Sequence, residues 1–301
     1  MDRIRMKAMA REALQKHYWK CVLVSFVFYV ATVAAVYFIS YGIGFGFGYG
    51  SSFGIAMIAV LFEEGTSYME PFYAFGIASV IFLGIGLCLT ATGVAGKAFL
   101  VNPIEVGCKK FACKSLNSEE ANLGDMGAGF RSNYKNIAQI MFVRDLYIGL
   151  WTVLWMGIYM VVGMAILMGG VYLSKSVESI FSETVMVFWM ILLVLLVYAI
   201  CILCYIPIYI KMLQYMFIPY ILAENPEMDR KQAFALSKQM MQGNKWDMFV
   251  MHLSFAGWLI LGGCTCYILH FLYVAPYIEY TTAAYYKVLR ERSVQQTKIT
   301  Y

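Results

Sequence analysis

The 301-residue sequence predicts an all-α fold, a polytopic transmembrane helix bundle of about six membrane helices paired as three hairpins, with amphipathic cytoplasmic segments between them. Three observations carry this expectation. Hydrophobic residues make up 61% of the chain and charged residues only 14%, whereas a water-soluble domain uses about 25% charged residues to cover its surface. The apolar residues gather into runs of the length that spans hydrocarbon, roughly 20 residues as a helix. The basic residues fall between alternate runs, which is how a membrane protein sets its orientation. The net charge of +5 is therefore not read as a nucleic-acid surface.

Taken in order, residues 1–20 form an amphipathic cytoplasmic segment carrying Arg3, Arg5, Lys7, Arg11, Lys16 and Lys20. The apolar run after it is as long as a full span and has no small-residue cleavage site, so it reads as a membrane helix rather than a signal peptide. Cys21–Tyr41 and Phe72–Gly96 make the first hairpin, within 21–136. Leu146–Ser174 and Thr184–Ile210 make the second, within 137–245. The last run, Met248–Ile278, is too long for one untilted span and too short for two. Carried past Glu279 to Tyr286, it makes a third hairpin with its turn at Gly262-Gly263, within 246–301. All three belong to one integral membrane domain.

Charge tests the count independently. With six helices, every basic residue except Arg144 and Lys175 lies in a cytoplasmic segment, because positively charged loops resist translocation. Five helices would place the basic tail, Lys287 to Lys298, outside. The outer loops lean acidic at Glu63, Glu64, Glu70, Glu178 and Glu183. Both termini are expected in the cytoplasm.

The sequence also suggests a repeated pattern. An aromatic-basic approach to the membrane occurs at Tyr18-Trp19-Lys20, Asn133-Tyr134-Lys135 and Asn244-Lys245-Trp246. Each is followed by apolar sequence and an exit through a proline, at Pro103, Pro219 and Pro276. Trp19 to Pro103 is 84 positions, Tyr134 to Pro219 is 85, and Trp246 to Pro276 is 30. The third unit is thus a shortened copy. Aromatic and basic residues gather at membrane interfaces in any case.

The string Ala235-Leu236-Ser237-Lys238-Gln239-Met240-Met241-Gln242-Gly243-Asn244-Lys245-Trp246, with Leu253-Ser254-Phe255-Ala256-Gly257-Trp258 and Pro276-Tyr277 after it, resembles the bacterial membrane family known as domain of unknown function 975. Ala10-Arg11-Glu12-Ala13-Leu14, Gly129-Phe130 and Tyr220-Ile221-Leu222-Ala223-Glu224-Asn225-Pro226 resemble it too. The sequence departs from that family at Lys16-His17, where glycine-asparagine is usual. The resemblance implies a multi-pass protein of the bacterial cell membrane and supplies no activity.

Several motifs invite chemistry. The alternating glycines of Gly42 to Gly50 look like a phosphate loop, but no strand precedes them and no Gly-Lys-Ser follows. A flexible or re-entrant outer loop, with Phe45, Phe47 and Tyr49 at the interface, is expected instead. Glycines at 76, 84, 86, 93 and 96 place the second helix inside the bundle, since small residues let helices approach. Cys201 and Cys204 lie one turn apart without a second ligand pair, and a structural zinc site needs four ligands.

Five polar residues at membrane depth are candidates for function, because charge there is costly. Arg144 and Asp145 stand at the mouth of the third helix, where anchoring and local pairing suffice to explain them. His252, His270 and Glu279 lie on the last hairpin, which could bring an imidazole near a carboxylate as a proton relay needs. The plainer reading is a histidine bonded to a neighbouring helix. The helix-like segment Asp229 to Gln242 has Ala233, Leu236, Met240 and Met241 on one side and suits the surface of an anionic bilayer.

No catalytic constellation, metal set or cofactor motif stands out, so no enzyme and no cofactor are expected. The expected partners are membrane lipids, with a membrane-protein partner or a homo-oligomer also open, and no nucleic acid. Two readings remain: a non-enzymatic module that organises lipid or partner proteins, and a small transporter with a polar intramembrane cavity.

Overall fold

A computed structural model describes residues 3–49, 69–117, 121–131, 133–177, 183–265 and 267–299. The outer-loop residues Glu63, Glu64 and Glu178 lie outside this set. Among the described residues every regular element is helical, as a chain in hydrocarbon requires when each backbone N–H and C=O must be bonded within its own segment. The helices are α1 (Arg3–Ile43), α2 (Met69–Gly96), α3 (Asn102–Leu116), α4 (Ala128–Arg131), α5 (Tyr134–Val177), α6 (Glu183–Tyr215), α7 (Ile218–Glu224), α8 (Arg230–Met241), α9 (Lys245–Leu253), α10 (Ala256–Cys264) and α11 (Ala275–Ile299).

Among the described residues, five stretches are long and apolar enough to cross a membrane: Arg3–Gly46, Gly76–Leu116, Tyr134–Leu173, Thr184–Glu224 and Lys245–Cys264. Four of them cover all or most of the four unambiguous apolar runs of the sequence. The fifth ends in a turn close to the expected Gly262-Gly263, where Tyr267 donates its N–H to Gly262 O at 3.0 Å and takes φ 64°. The chain then returns through a wide π-type turn, His270–Val274, into α11. That return carries Glu279, Lys287, Arg290, Glu291 and Arg292.

The helices assort into two compact units. One comprises Met1–Met141, Pro219–Met228 and Ser254–Tyr301; the other comprises Phe142–Ile218 and Asp229–Leu253. In the first, α1 breaks at His17 (φ −135°, ψ 35°), separating the amphipathic segment from the membrane run. Helix α11 is central there. Its residues Tyr280, Thr281, Thr282, Ala283, Ala284, Tyr285 and Tyr286 are all buried in succession, so no side of that stretch faces outward. Ala10, Leu14 and Cys21 of α1, Phe111 of α3 and Tyr220 of α7 are buried in the same unit, and the Tyr220 and Tyr286 rings stack at 5.0 Å.

The glycine-rich segment departs from expectation. Gly44–Tyr49 continues α1 as a π-type helical turn rather than a loop, and Phe45 and Tyr49 hold Phe82 of α2 between them, with ring centroids 5.1 and 5.7 Å apart. The physical reason lies in Gly86. A methyl group there would overlap the backbone of Gly46 and stand 2.6 Å from Gly42 O, so the two helices meet main chain to main chain. Gly84 and Gly96, by contrast, face open space, and not every glycine of α2 serves packing.

After α3, Asn122 and Asp125 close a reciprocal cap on the short helical turn Leu123–Gly127. Lys114 donates to Asp125 Oδ1 at 2.7 Å and the Asn122 N–H to Oδ2 at 3.0 Å. Burial alone would raise the Asp125 carboxyl; the hydrogen bonds and charge of Lys114 and the Asn122 N–H outweigh it and hold it below its ordinary range. The other unit contains α6, α8 and α9, together with most of α5. Tyr147, Tyr215 and Phe234 form an aromatic triangle in it, with centroids 5.2 to 6.3 Å apart.

Two outcomes follow for stability. Gly86→Ala overpacks the α1–α2 contact, at a cost of about 1–3 kcal/mol, and lowers the melting temperature in detergent, while Gly84→Ala leaves it unchanged. Because the Asp125 carboxyl is depressed in the folded state, its stabilisation is complete above about pH 4 and drains away as pH falls through the lower folded value. Melting scans between neutral and acid pH should therefore show a shallower acid decline for Asp125→Asn than for the wild type.

Candidate functional site

The three prolines that close the apolar runs each stand in the first turn of a helix: Pro103 in α3, Pro219 in α7 and Pro276 in α11. Proline is well placed there, since it lacks an N–H that the first turn has no acceptor for. Polar side chains from these three helices meet. Lys109 of α3 donates to Glu279 of α11 at 2.5 Å, with side chains only 9% and 22% exposed. The Tyr220 hydroxyl of α7 lies 3.4 Å from the same carboxylate oxygen. The Lys109 ammonium also sits over the rings of Phe28 and Tyr220, at 5.4 and 5.1 Å. An ammonium this far from water keeps its charge only when carboxylate and ring faces replace hydration.

Beside the pair lies a cavity of about 230 Å³. Val24, Ser25, Phe28 and Tyr29 of α1 line one side, Cys108 and Ala112 of α3 another, and His270, Glu279 and Tyr280 complete it. Its surface is mostly apolar. Ser25 Oγ is buried and has no hydrogen-bond partner among the described residues. The Cys108 thiol lies 3.9 Å from the Val24 carbonyl. A carboxylate, an orphaned hydroxyl and an imidazole thus face one small, mainly apolar space, which suits a compact amphiphile or a polar group carried into the membrane.

Of the residues anticipated from sequence, Glu279 and His270 reach this cavity, although Glu279 pairs with Lys109 and not with an imidazole. The His270 ring rests edge-on against Tyr29 and Phe271, at 5.9 and 5.8 Å. His252 belongs to the other unit; its Nδ1 shares a hydrogen bond with Tyr209 OH at 2.8 Å. Arg144 and Asp145 bond each other, Arg144 Nη2 to Asp145 Oδ1 at 2.8 Å and Nε to the same oxygen at 3.0 Å. Lys109 and Tyr220 were missed. The available signal was a lysine and a glutamate each a few residues after an exit proline, but spacing alone does not say that helices 170 positions apart touch. Among the described residues, no three His, Cys, Asp or Glu side chains are grouped to hold a metal ion.

A fold that is all-helical among the described residues, with five membrane-length apolar stretches, is that of a membrane-embedded protein of the multi-pass class. Residues 1–293 match the family described as "Protein of unknown function (DUF975)", and the chain belongs to that family. No curated protein and no solved structure matches it.

Removing one partner of the pair leaves the other buried and uncompensated, so Lys109→Met or Glu279→Leu alone should cost about 3–5 kcal/mol. The double variant should recover most of that loss. A double-mutant cycle on thermal unfolding in detergent measures the difference, and additive losses would mean that the two groups are not coupled.

Proposed function

We propose that the protein is a non-enzymatic multi-pass module of a bacterial cell membrane that organises lipid or partner proteins around it. The observation that carries this reading is how little of α5 and α6 the chain covers. In the most apolar stretch of Tyr134–Leu173 only 6% of residues are buried, and in that of Thr184–Glu224 only 11%. Val161 is 72% exposed and Leu203 63%. Flanks of this kind need lipid tails or another protein's helices against them, since water would leave a large apolar area hydrated.

The finer topology is part of the proposal. The return through His270–Val274 and α11 makes a sixth pass, the helices pair as three hairpins, and both termini lie in the cytoplasm. The distribution of basic residues supports this, and the family resemblance supports the bacterial membrane. The cavity beside Lys109 and Glu279 favours a second reading, transport of a small polar solute or ion.

Reconstitution tests the two together. Nanodiscs of mixed lipid, read by native mass spectrometry, should retain a defined set of lipids or a homo-oligomer, and sealed liposomes should show no solute or proton flux above protein-free controls. A flux that Glu279→Gln abolishes would replace the module with the transporter.

A further inference from the structure

We infer that α8, the Tyr147 region of α5 and the C-terminal end of α6 form a binding site for the headgroup of an anionic phospholipid. The inference rests on the lipid-organising reading and names the lipid class. A cleft of about 560 Å³ is walled by Tyr147 of α5, Tyr215 of α6, and Arg230, Lys231, Phe234 and Lys238 of α8. The sequence spacing makes this face. Arg230, Phe234 and Lys238 recur at four-residue intervals, so a helix stacks them along one side, and Lys231 adjoins them.

None of the three cations has a side-chain hydrogen-bond or ion-pair partner among the described residues. Two carboxylates close in sequence to the lining residues are engaged elsewhere. Asp229 caps α8 by accepting from the Lys231 backbone N–H at 3.0 Å, and Asp145 is bonded to Arg144. Three exposed positive charges converging on one cleft without a counter-charge are arranged to take an anion with several acceptor oxygens, as a phosphate has.

A second, separate observation extends the site. Lys238 also lines an adjoining cleft of about 560 Å³ with Gln214, Gln242, Gly243, Lys245 and Trp246. Gln214 is 9% exposed, and its side-chain oxygen is buried with no hydrogen-bond partner among the described residues. An orphaned acceptor next to a cation calls for a donor on the ligand, such as a headgroup hydroxyl. Gly243, with φ 79°, turns the chain just after α8 and lines this cleft.

The level of the clefts decides for a lipid over a free phosphate. Tyr147 stands at the start of the apolar run Leu146–Ser174 and Tyr215 just past the run Thr184–Ile210, the depth at which aromatic rings mark the headgroup region. Leu146 and Met212, beside them, are 49% and 41% exposed and offer apolar surface to acyl chains. Phosphatidylglycerol combines the phosphate, the hydroxyls and the chains.

The full-length protein, purified in detergent, is titrated with phosphatidylglycerol and with phosphatidylcholine and read by native mass spectrometry. The wild type should bind phosphatidylglycerol preferentially, and the Arg230→Gln/Lys231→Gln/Lys238→Gln variant should bind it at least about tenfold more weakly. Lys16→Gln/Lys20→Gln, which removes charge elsewhere, should bind as the wild type does. All five positions are exposed, and matching melting curves confirm that the variants fold. Unchanged phosphatidylglycerol binding by the triple variant overturns the site while leaving the lipid-organising module intact. Failure of the wild type to retain lipid or to form a homo-oligomer overturns both. Displacement of the lipid by an equal concentration of inorganic phosphate would make this a free-anion site and overturn the lipid assignment.

Discussion

Removing an ammonium and a carboxylate from water is so unfavourable that Lys109 and Glu279 must be brought together before either can be buried. That requirement organises the first unit. Lys109 sits on α3 and Glu279 on α11, 170 positions apart, and the tyrosine of α7 that approaches the same carboxylate oxygen comes from a third part of the chain. Each of these helices has a proline in its first turn after an apolar run, so the pair and the tyrosine join three chain segments just where they leave those runs. The buried stretch of α11 and the stacked Tyr220 and Tyr286 rings surround the junction with aromatic and small side chains. Arg290 adds a more exposed link to Glu224 of α7 at 3.1 Å.

The second unit solves a different problem. Its long helices touch one another sparingly, near Gly163 and Val197 and near Gly170 and Leu193. Its polar groups are settled locally: Arg144 with Asp145, Tyr209 with His252, and the Ser237 hydroxyl on the Gln214 carbonyl at 2.8 Å. Left over are the buried Gln214 side-chain oxygen and two surfaces, the apolar flank of α5 and α6 and the cationic face of α8. Those two surfaces are complementary to the two parts of a phospholipid, and this links the proposed function to the headgroup site.

Much of the architecture was legible because it follows from one-dimensional properties. Run length and charge sufficed for the four unambiguous spans, and the amphipathic segment Asp229 to Gln242 appears as α8 with Ala233, Met240 and Met241 buried. Leu236 is only partly covered, and Ser237 takes the buried place instead because its hydroxyl bonds a main-chain carbonyl. The alternating glycines misled for a related reason. Glycine signals both a loop and a close helix contact, and only the presence of Gly86 opposite Gly42 and Gly46 distinguishes them.

The sequence alone determined that the chain is helical and membrane-embedded, and it supplied an expected orientation. These depend on apolar length and on where lysine and arginine fall, and both are readable without contacts. Tertiary structure decided which polar residues meet. Glu279 finds a lysine rather than a histidine, and His252 finds a tyrosine, because burial forces each polar group onto whatever partner the packed helices bring within reach. Proximity in the chain carries no information about that.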